Sequence, residues 1–198
     1  MKQGILMSIG ASALFAFMYF YATLMQPFDG DIVFAWRILF GLPMMAVVVQ
    51  RTKGWHDIKN TARRCRDWKF LAVMLCCSAL LGVQLWLFVW APLHDYALDV
   101  SMGYFLLPLT MVLTGKLVYK EQLSNFQRIA IGLAVLGVAH ELYRIGSVSW
   151  PTALVALGYP PYFLLRNRFK IESLTGLWFD MFFLLPVAII LLQAQAAE

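Results

Sequence analysis

Residues 70–93 read FLAVMLCCSALLGVQLWLFVWAPL, a run of 24 residues without a charged side chain. A helix of this length rises about 36 Å at 1.5 Å per residue, and the hydrocarbon core of a bilayer is about 30 Å thick. Apolar residues continue through the whole run instead of alternating with polar ones, which argues against a transmembrane strand. The stretch therefore predicts a membrane-spanning helix.

The rest of the chain has the same character. Of its 198 residues 61% are apolar and 14% are charged, whereas a soluble domain has roughly 25% charged residues. Seven runs approach the length of a membrane span, at 4–25, 32–49, 70–93, 100–119, 129–143, 150–165 and 174–192. We therefore predict an all-α, polytopic transmembrane helix bundle of about seven spans.

Basic residues are concentrated in alternate loops. Of sixteen Lys and Arg side chains, all but Arg37 and Arg144 lie at the N-terminus, in the loop 51–69, near 116–128 or in the turn 166–170. Because cytoplasmic loops retain positive charge, this distribution predicts a cytoplasmic N-terminus and a multi-pass protein of the bacterial inner membrane. The net charge of +5 is thereby explained without nucleic acid as a partner.

The loop 51–69 is itself amphipathic. Trp55, Ile58, Ala62 and Cys65 recur at helical spacing among its basic residues. This pattern predicts a short helix at the membrane interface, lying on anionic lipid. The lipid bilayer is therefore one predicted partner of the chain.

An internal repeat connects the two ends of the chain. A shift of 143 residues aligns the first two spans with the last two without a gap, and it matches Tyr19 with Tyr162 and Pro43 with Pro186. The repeating unit then contains five spans. Because five is odd, the second copy would cross the membrane in the opposite orientation, as in secondary transporters with inverted repeats.

The repeat predicts a division of the chain into two units. Residues 1–143 would form a first five-helix unit, and residues 144–198 the first two helices of an incomplete second unit. A complete five-plus-five architecture would need about 286 residues, twice the offset. A truncated, inactive remnant of a permease is therefore one alternative to a functional transporter.

One segment carries a family resemblance. SMGYFLLP at 101–108, followed by Gly115 and Glu121, resembles the Gly-Tyr-Phe…Pro…Gly…Glu signature of the drug/metabolite transporter superfamily. FVWA at 88–91 and LLPVA at 184–188 fit, more narrowly, the RarD subfamily of EamA-type permeases, the chloramphenicol-sensitivity proteins. The resemblance implies ten helices, two cytoplasmic termini and transport of small organic solutes, of which this chain would hold the first seven spans.

Five polar side chains inside the predicted spans are candidates for binding a solute: Arg37, Gln84, Tyr104, Glu141 and Asp180. A charge within the membrane is costly and usually faces a cavity or a partner. Arg37 is expected to pair on the outer side with Glu141 or to face a water-filled vestibule there. Asp180 is expected to face the cytoplasmic side, too far away for contact with Arg37. As alternatives, Arg37 could extend to the headgroups, and Gln84 and Tyr104 could bond to neighbouring helices.

These features favour a secondary transporter that moves a small organic solute or drug by alternating access. A cavity lined by Tyr, Trp and one cation would suit an amphipathic or anionic solute. An intramembrane protease is a second alternative, but the serines within the spans lack a Gly-x-Ser-x-Gly context. The three Cys and three His show no metal-ligand spacing. We therefore predict no enzymatic activity, no metal and no cofactor.

Overall fold

The computed structural model describes residues 2–25, 28–52, 54–120, 124–145 and 149–196. This part of the chain forms eight α-helices and contains no strand, so the predicted all-α bundle is confirmed. The helices are α1 (Lys2–Thr23), α2 (Gly30–Arg51), α3 (Trp55–Arg64), α4 (Trp68–Leu93), α5 (Ala97–Val118), α6 (Asn125–Ile145), α7 (Trp150–Arg168) and α8 (Ser173–Ala196). Each of the seven predicted runs lies on one of the seven long helices.

Five of these helices (α1, α2, α4, α5 and α8) are long and apolar enough to cross a membrane. The helices α6 and α7 are as long but more polar. α7 contains Tyr159 and Tyr162 and ends with Arg166 and Arg168. It packs against α4 and α5 within the bundle, and a helix covered by protein does not need the apolar surface that lipid requires.

The helix α4 lies at the centre of the bundle and contacts α1, α2, α5, α7 and α8. Two glycines allow the close approach of neighbouring helices. A Cβ on Gly30 of α2 would lie 2.6 Å from the Cα of Trp90 on α4, and a Cβ on Gly103 of α5 would lie 2.6 Å from the Cβ of Val155 on α7. A larger residue at either position would push the two helices apart.

The short helix α3 confirms the helix predicted in the loop 51–69, but its apolar side packs on protein. Ile58 is buried, and the Trp55 ring packs against Trp178 of α8 with 6.3 Å between ring centroids. Arg64 donates a hydrogen bond of 2.8 Å to the carbonyl of Phe169. This side of α3 therefore covers the bundle. We name this end, formed by α3 and the turn 169–172, the α3 end.

The opposite end is formed by the loops at 28–29 and 94–96. The His94 Nε2 lies 3.7 Å from a carboxylate oxygen of Asp29. The rings of Trp90 and His94 stack with 4.2 Å between centroids, and Trp150 lies 5.7 Å from Trp90. Indole rings are frequent where a membrane protein meets the headgroups.

Candidate functional site

A buried polar network surrounds Asp180, between α4, α7 and α8. The Asp180 residue is 1% exposed. One carboxylate oxygen accepts a hydrogen bond of 3.0 Å from the Ser78 hydroxyl, and the other accepts one of 3.0 Å from the Tyr162 hydroxyl. Arg166 Nη1 lies 3.4 Å from this second oxygen. Both oxygens have partners and the charge is compensated, which a buried carboxylate requires.

Arg166 connects this network to the beginning of α8. Its Nη2 donates hydrogen bonds of 2.8 Å to the carbonyls of both Glu172 and Ser173. Its Nη1 also donates to the Tyr162 hydroxyl. The guanidinium occupies the space beside Gly176, where a Cβ would collide with it. Arg166 thus fixes the end of α7 to the start of the next helix through several donors.

Glu172 caps α8 at the α3 end. Its carboxylate accepts hydrogen bonds of 3.1 Å and 2.7 Å from the backbone N–H groups of Leu174 and Thr175. Burial opposes ionisation, but these donors and the charge of Arg166 outweigh it and hold the pKa of Glu172 below its ordinary value. Asp29, one 143-residue offset earlier in the chain, caps α2 with its carboxylate.

Arg37 lies beside a cavity of about 410 Å³ between α1, α2 and α4, which we name the Arg37 cavity. Among the described residues, Arg37 is the only charged one in its lining, and most of the others are aromatic or aliphatic. A large apolar pocket with few polar groups is the usual form of a small-molecule site. The lining consists of Met18, Tyr21, Ala22, Met25, Phe28, Ile32, Val33, Trp36, Arg37, Phe40, Phe88 and Val89.

The guanidinium of Arg37 lacks a carboxylate partner among the described residues. Its Cζ lies 5.3 Å from the centroid of the Phe88 ring, a cation–π contact. Tyr104 and Tyr159, whose hydroxyls are 3.4 Å apart, are close enough to interact electrostatically with it. The Nη1 atom is buried and has no hydrogen-bond partner in the described part of the chain. A buried donor without an acceptor is costly.

Gln84, another predicted site residue, joins α4 to α7. Its residue surface is 2% exposed, and its Nε2 donates a hydrogen bond of 2.8 Å to the carbonyl of Leu154. Its Oε1 is buried without a partner among the described residues. Gln84 lies one helical turn from Phe88 on α4. The structure therefore gives it the interhelical contact that was the alternative to a solute contact.

Two of the predicted charged residues, Arg37 and Asp180, do not pair with each other. Asp180 pairs with Arg166, and no ion pair joins it to Arg37 within the described ranges. The Glu141 side chain lies outside the described part of the structure, so its pairing with Arg37 stays a prediction. Arg37 and Tyr104 lie close enough to each other to interact electrostatically.

The sequence reasoning missed the partners of Asp180, namely Ser78, Tyr162 and Arg166. In the sequence, Arg166 stands out only as part of a basic turn, and Tyr162 only as part of the repeat. Their separation of four residues places both on one face of α7. That spacing was a visible signal of a polar face that must find a partner inside the bundle.

Comparisons with known proteins give a consistent assignment. An uncharacterized transporter of Pasteurella multocida is 42% identical over 190 residues, covering 96% of this chain and 65% of that protein. The chloramphenicol-sensitive protein RarD of Pseudomonas aeruginosa is 41% identical over 191 residues, 94% of this chain and 63% of the relative. An uncharacterized transporter of Haemophilus influenzae is 38% identical over 190 residues, 96% of this chain and 64% of that protein.

The chain thus spans slightly less than two thirds of the length of these relatives. No solved structure matches it. The EamA-like transporter family matches residues 2–140. Together with the apolar helices, these similarities identify a multi-pass membrane protein. The chain belongs to the EamA-like transporter family, and its relatives include RarD proteins.

Proposed function

We propose that the protein is a secondary transporter that moves a small organic solute across the bacterial inner membrane by alternating access. The N-terminus and the α3 end face the cytoplasm in this proposal, as the distribution of basic residues favours. Transport breaks no covalent bond of the solute, so the proposal includes no catalytic residue and no cofactor.

The observation that carries the mechanism is the difference between the two ends of the bundle. At the α3 end, Asp180 and Arg166 join α7, α8 and α4, while α3 covers the helix ends. Toward the opposite end, the Arg37 cavity extends from Arg37 to Phe28. In this proposal, the contacts that close the space between α4, α7 and α8 and the Arg37 cavity toward the opposite end correspond to one of the two states of an alternating-access cycle.

The internal repeat relates these two regions. At the 143-residue offset, Arg37 occupies the position of Asp180, and Tyr19 that of Tyr162. The proposal assigns 1–143 to one unit and 144–198 to the first two helices of an inverted second unit. In transporters with such repeats, one repeat rocks or gates against the other around a fixed site. The closed network around Asp180 would therefore open when the region around Arg37 closes.

A reversible cross-link across the α3 end tests this proposal. Trp55 and Trp178 lie in different units and their rings are in contact, so both would be replaced by Cys in the full-length protein, with Cys65, Cys76 and Cys77 replaced by Ser. A bis-methanethiosulfonate reagent should reduce solute flux in proteoliposomes by about tenfold or more, because the α3 end can no longer open. Dithiothreitol should restore the flux.

The two variants with a single Cys, treated with the same reagent, provide the control and should retain their flux. The solutes would be a panel of small organic acids, amides and drugs. Undiminished flux after complete cross-linking would contradict an opening at this end. Absence of flux for every solute in the panel, with the protein correctly folded, would contradict the transporter assignment itself.

A further inference from the structure

We infer that the transported solute is an amphipathic organic anion whose carboxylate binds Arg37. This inference rests on the proposed function and assigns a substrate class to the Arg37 cavity. The first observation that supports it is the charge of the cavity lining. In the described part of the chain, Arg37 is the only charged residue in the lining, and its Nη1 is buried without a hydrogen-bond acceptor.

Arg166 shows which partners a buried arginine has when its charge is compensated. Arg166 has the carboxylate of Asp180 at 3.4 Å and two backbone carbonyls at 2.8 Å. Arg37 has the face of the Phe88 ring and two tyrosine hydroxyls nearby. An arginine in an apolar region requires an anion or several acceptors. Within the described residues, Arg37 lacks the carboxylate that Arg166 has, and a bound anion would supply it.

Two tyrosines lie close enough to Arg37 to interact with it electrostatically. The hydroxyls of Tyr104 and Tyr159 are 3.4 Å apart, so at most one donates to the other. Neither tyrosine lines the Arg37 cavity, so Arg37 is the group that would hold the carboxylate of a solute bound there.

The rest of the cavity lining favours a solute whose remaining part is apolar. Trp36 and Phe40 stack with 5.3 Å between ring centroids along one side of the lining. Met18 and Met25 extend the apolar surface with flexible side chains. The volume of about 410 Å³ lies in the range of small-molecule sites. A solute with one aromatic ring system and one carboxylate fits this combination of size, charge and surface.

Matched pairs of acids and amides test the assigned class, because an amide keeps the shape and one carbonyl but not the charge. The probes are benzoate with benzamide, phenylacetate with phenylacetamide, and indole-3-acetate with indole-3-acetamide. Binding to the full-length protein in nanodiscs would be measured by tryptophan fluorescence, and flux in proteoliposomes. At least one acid should bind about tenfold or more tightly than its amide, as expected for a charged partner.

Substitutions of Arg37 locate the preference. In Arg37→Met the acid should lose its advantage and bind about as weakly as the amide, whereas Arg37→Lys should retain part of it. Arg51→Met, which removes an exposed arginine at the end of α2, serves as the control and should leave the preference unchanged. Arg37→Met should also raise the melting temperature, because it removes a desolvated charge that has no carboxylate partner among the described residues. That outcome would separate a binding role from a structural one.

The results distinguish the inference from the proposed function. If the protein moves solutes but no acid is preferred over its amide, the substrate class is wrong and the transporter assignment stands. A preference that survives in Arg37→Met would also overturn the inference, since the anion would then bind elsewhere. A fall in melting temperature of Arg37→Met by as much as that of a broken ion pair would assign Arg37 to the fold. If no solute in the wider panel is moved, the proposed function fails first.

Discussion

The α1–α2 pair and the α7–α8 pair align in the internal repeat, yet the bundle uses them in opposite ways. The helix α7 packs between α4 and α5, and its buried residues include Val155 and Tyr162. Its counterpart α1 contacts α4 and is exposed over nearly all of its length, with Ala22 as its buried residue among those described. In the described part of the chain, the two helices therefore differ in how much of their surface other helices cover.

The charged positions show the same contrast. Asp180 and Arg37 are equivalent at the 143-residue offset, and both lie on the second helix of their pair. The first has a hydrogen bond or ion pair at each oxygen, while the second has a buried nitrogen without a partner in the described residues. Burial alone does not show whether a charged side chain stabilises the fold or is available to bind a ligand. The number of hydrogen-bond and ion-pair partners that the side chain has distinguishes the two cases.

Removal of the Asp180 carboxylate is expected to have the largest effect on stability. Asp180→Ala leaves Arg166 buried without its carboxylate and should lower the free energy of unfolding by about 3–5 kcal/mol. The measurement is thermal or denaturant unfolding of the purified protein in detergent. Asp57→Ala is the control, because Asp57 is exposed on α3 and lies beside the exposed His56. Equal stability of the two variants would show that the network does not hold α7 to α8.

Two glycines, Gly176 of α8 and Gly10 of α1, differ in how closely their surroundings are packed. Gly176→Ala should cost about 1–3 kcal/mol of stability, because the added Cβ would collide with the guanidinium of Arg166 and lie 2.8 Å from Ile171. On the exposed side, a Cβ on Gly10 of α1 would have no atom within 4 Å from the other described residues, apart from its chain neighbours and the backbone of its own helix. Gly10→Ala should therefore stabilise the helix by about 0.5–1 kcal/mol. The opposite sign of the two unfolding shifts is the readout, and two shifts of the same sign would contradict the packing described here.

Much of the fold was predictable from the continuous apolar runs. In lipid, the backbone of such a run must form its hydrogen bonds internally, and a helix does so. Residues 70–93 show this directly, since they lie within α4. The helix α3 was predictable from the helical spacing of Trp55 and Ile58. Its contact with Trp178 was not, since an amphipathic pattern gives the apolar face but does not say whether lipid or protein covers it.

The sequence identified residues of the candidate site more readily than it identified the side chains with which they pair. Arg37 and Asp180 stand out in the sequence because charges are rare inside spans. The partner of Asp180 depends on how α7 is rotated against α8, and Arg166 was hidden among loop cations. Helical spacing places Tyr162 and Arg166 on one face. Only the tertiary packing shows that this face meets Asp180 and Ser78.

The smallest expected effect concerns the caps that begin the second helix of each pair, Glu172 before α8 and Asp29 before α2. The folded protein holds the pKa of Glu172 below its ordinary value of 4.5. Ionisation of Glu172 therefore stabilises the fold above about pH 4.5, and this stabilisation disappears as the pH falls through the lower pKa of the folded state.

Because a helix cap contributes about 1 kcal/mol, Glu172→Gln should be slightly less stable than the wild type at pH 7. At pH 3 the difference in melting temperature between the two proteins should shrink. Comparison at each pH cancels the acid sensitivity of the other carboxylates, and a constant difference would show that the charge of Glu172 adds nothing to the cap.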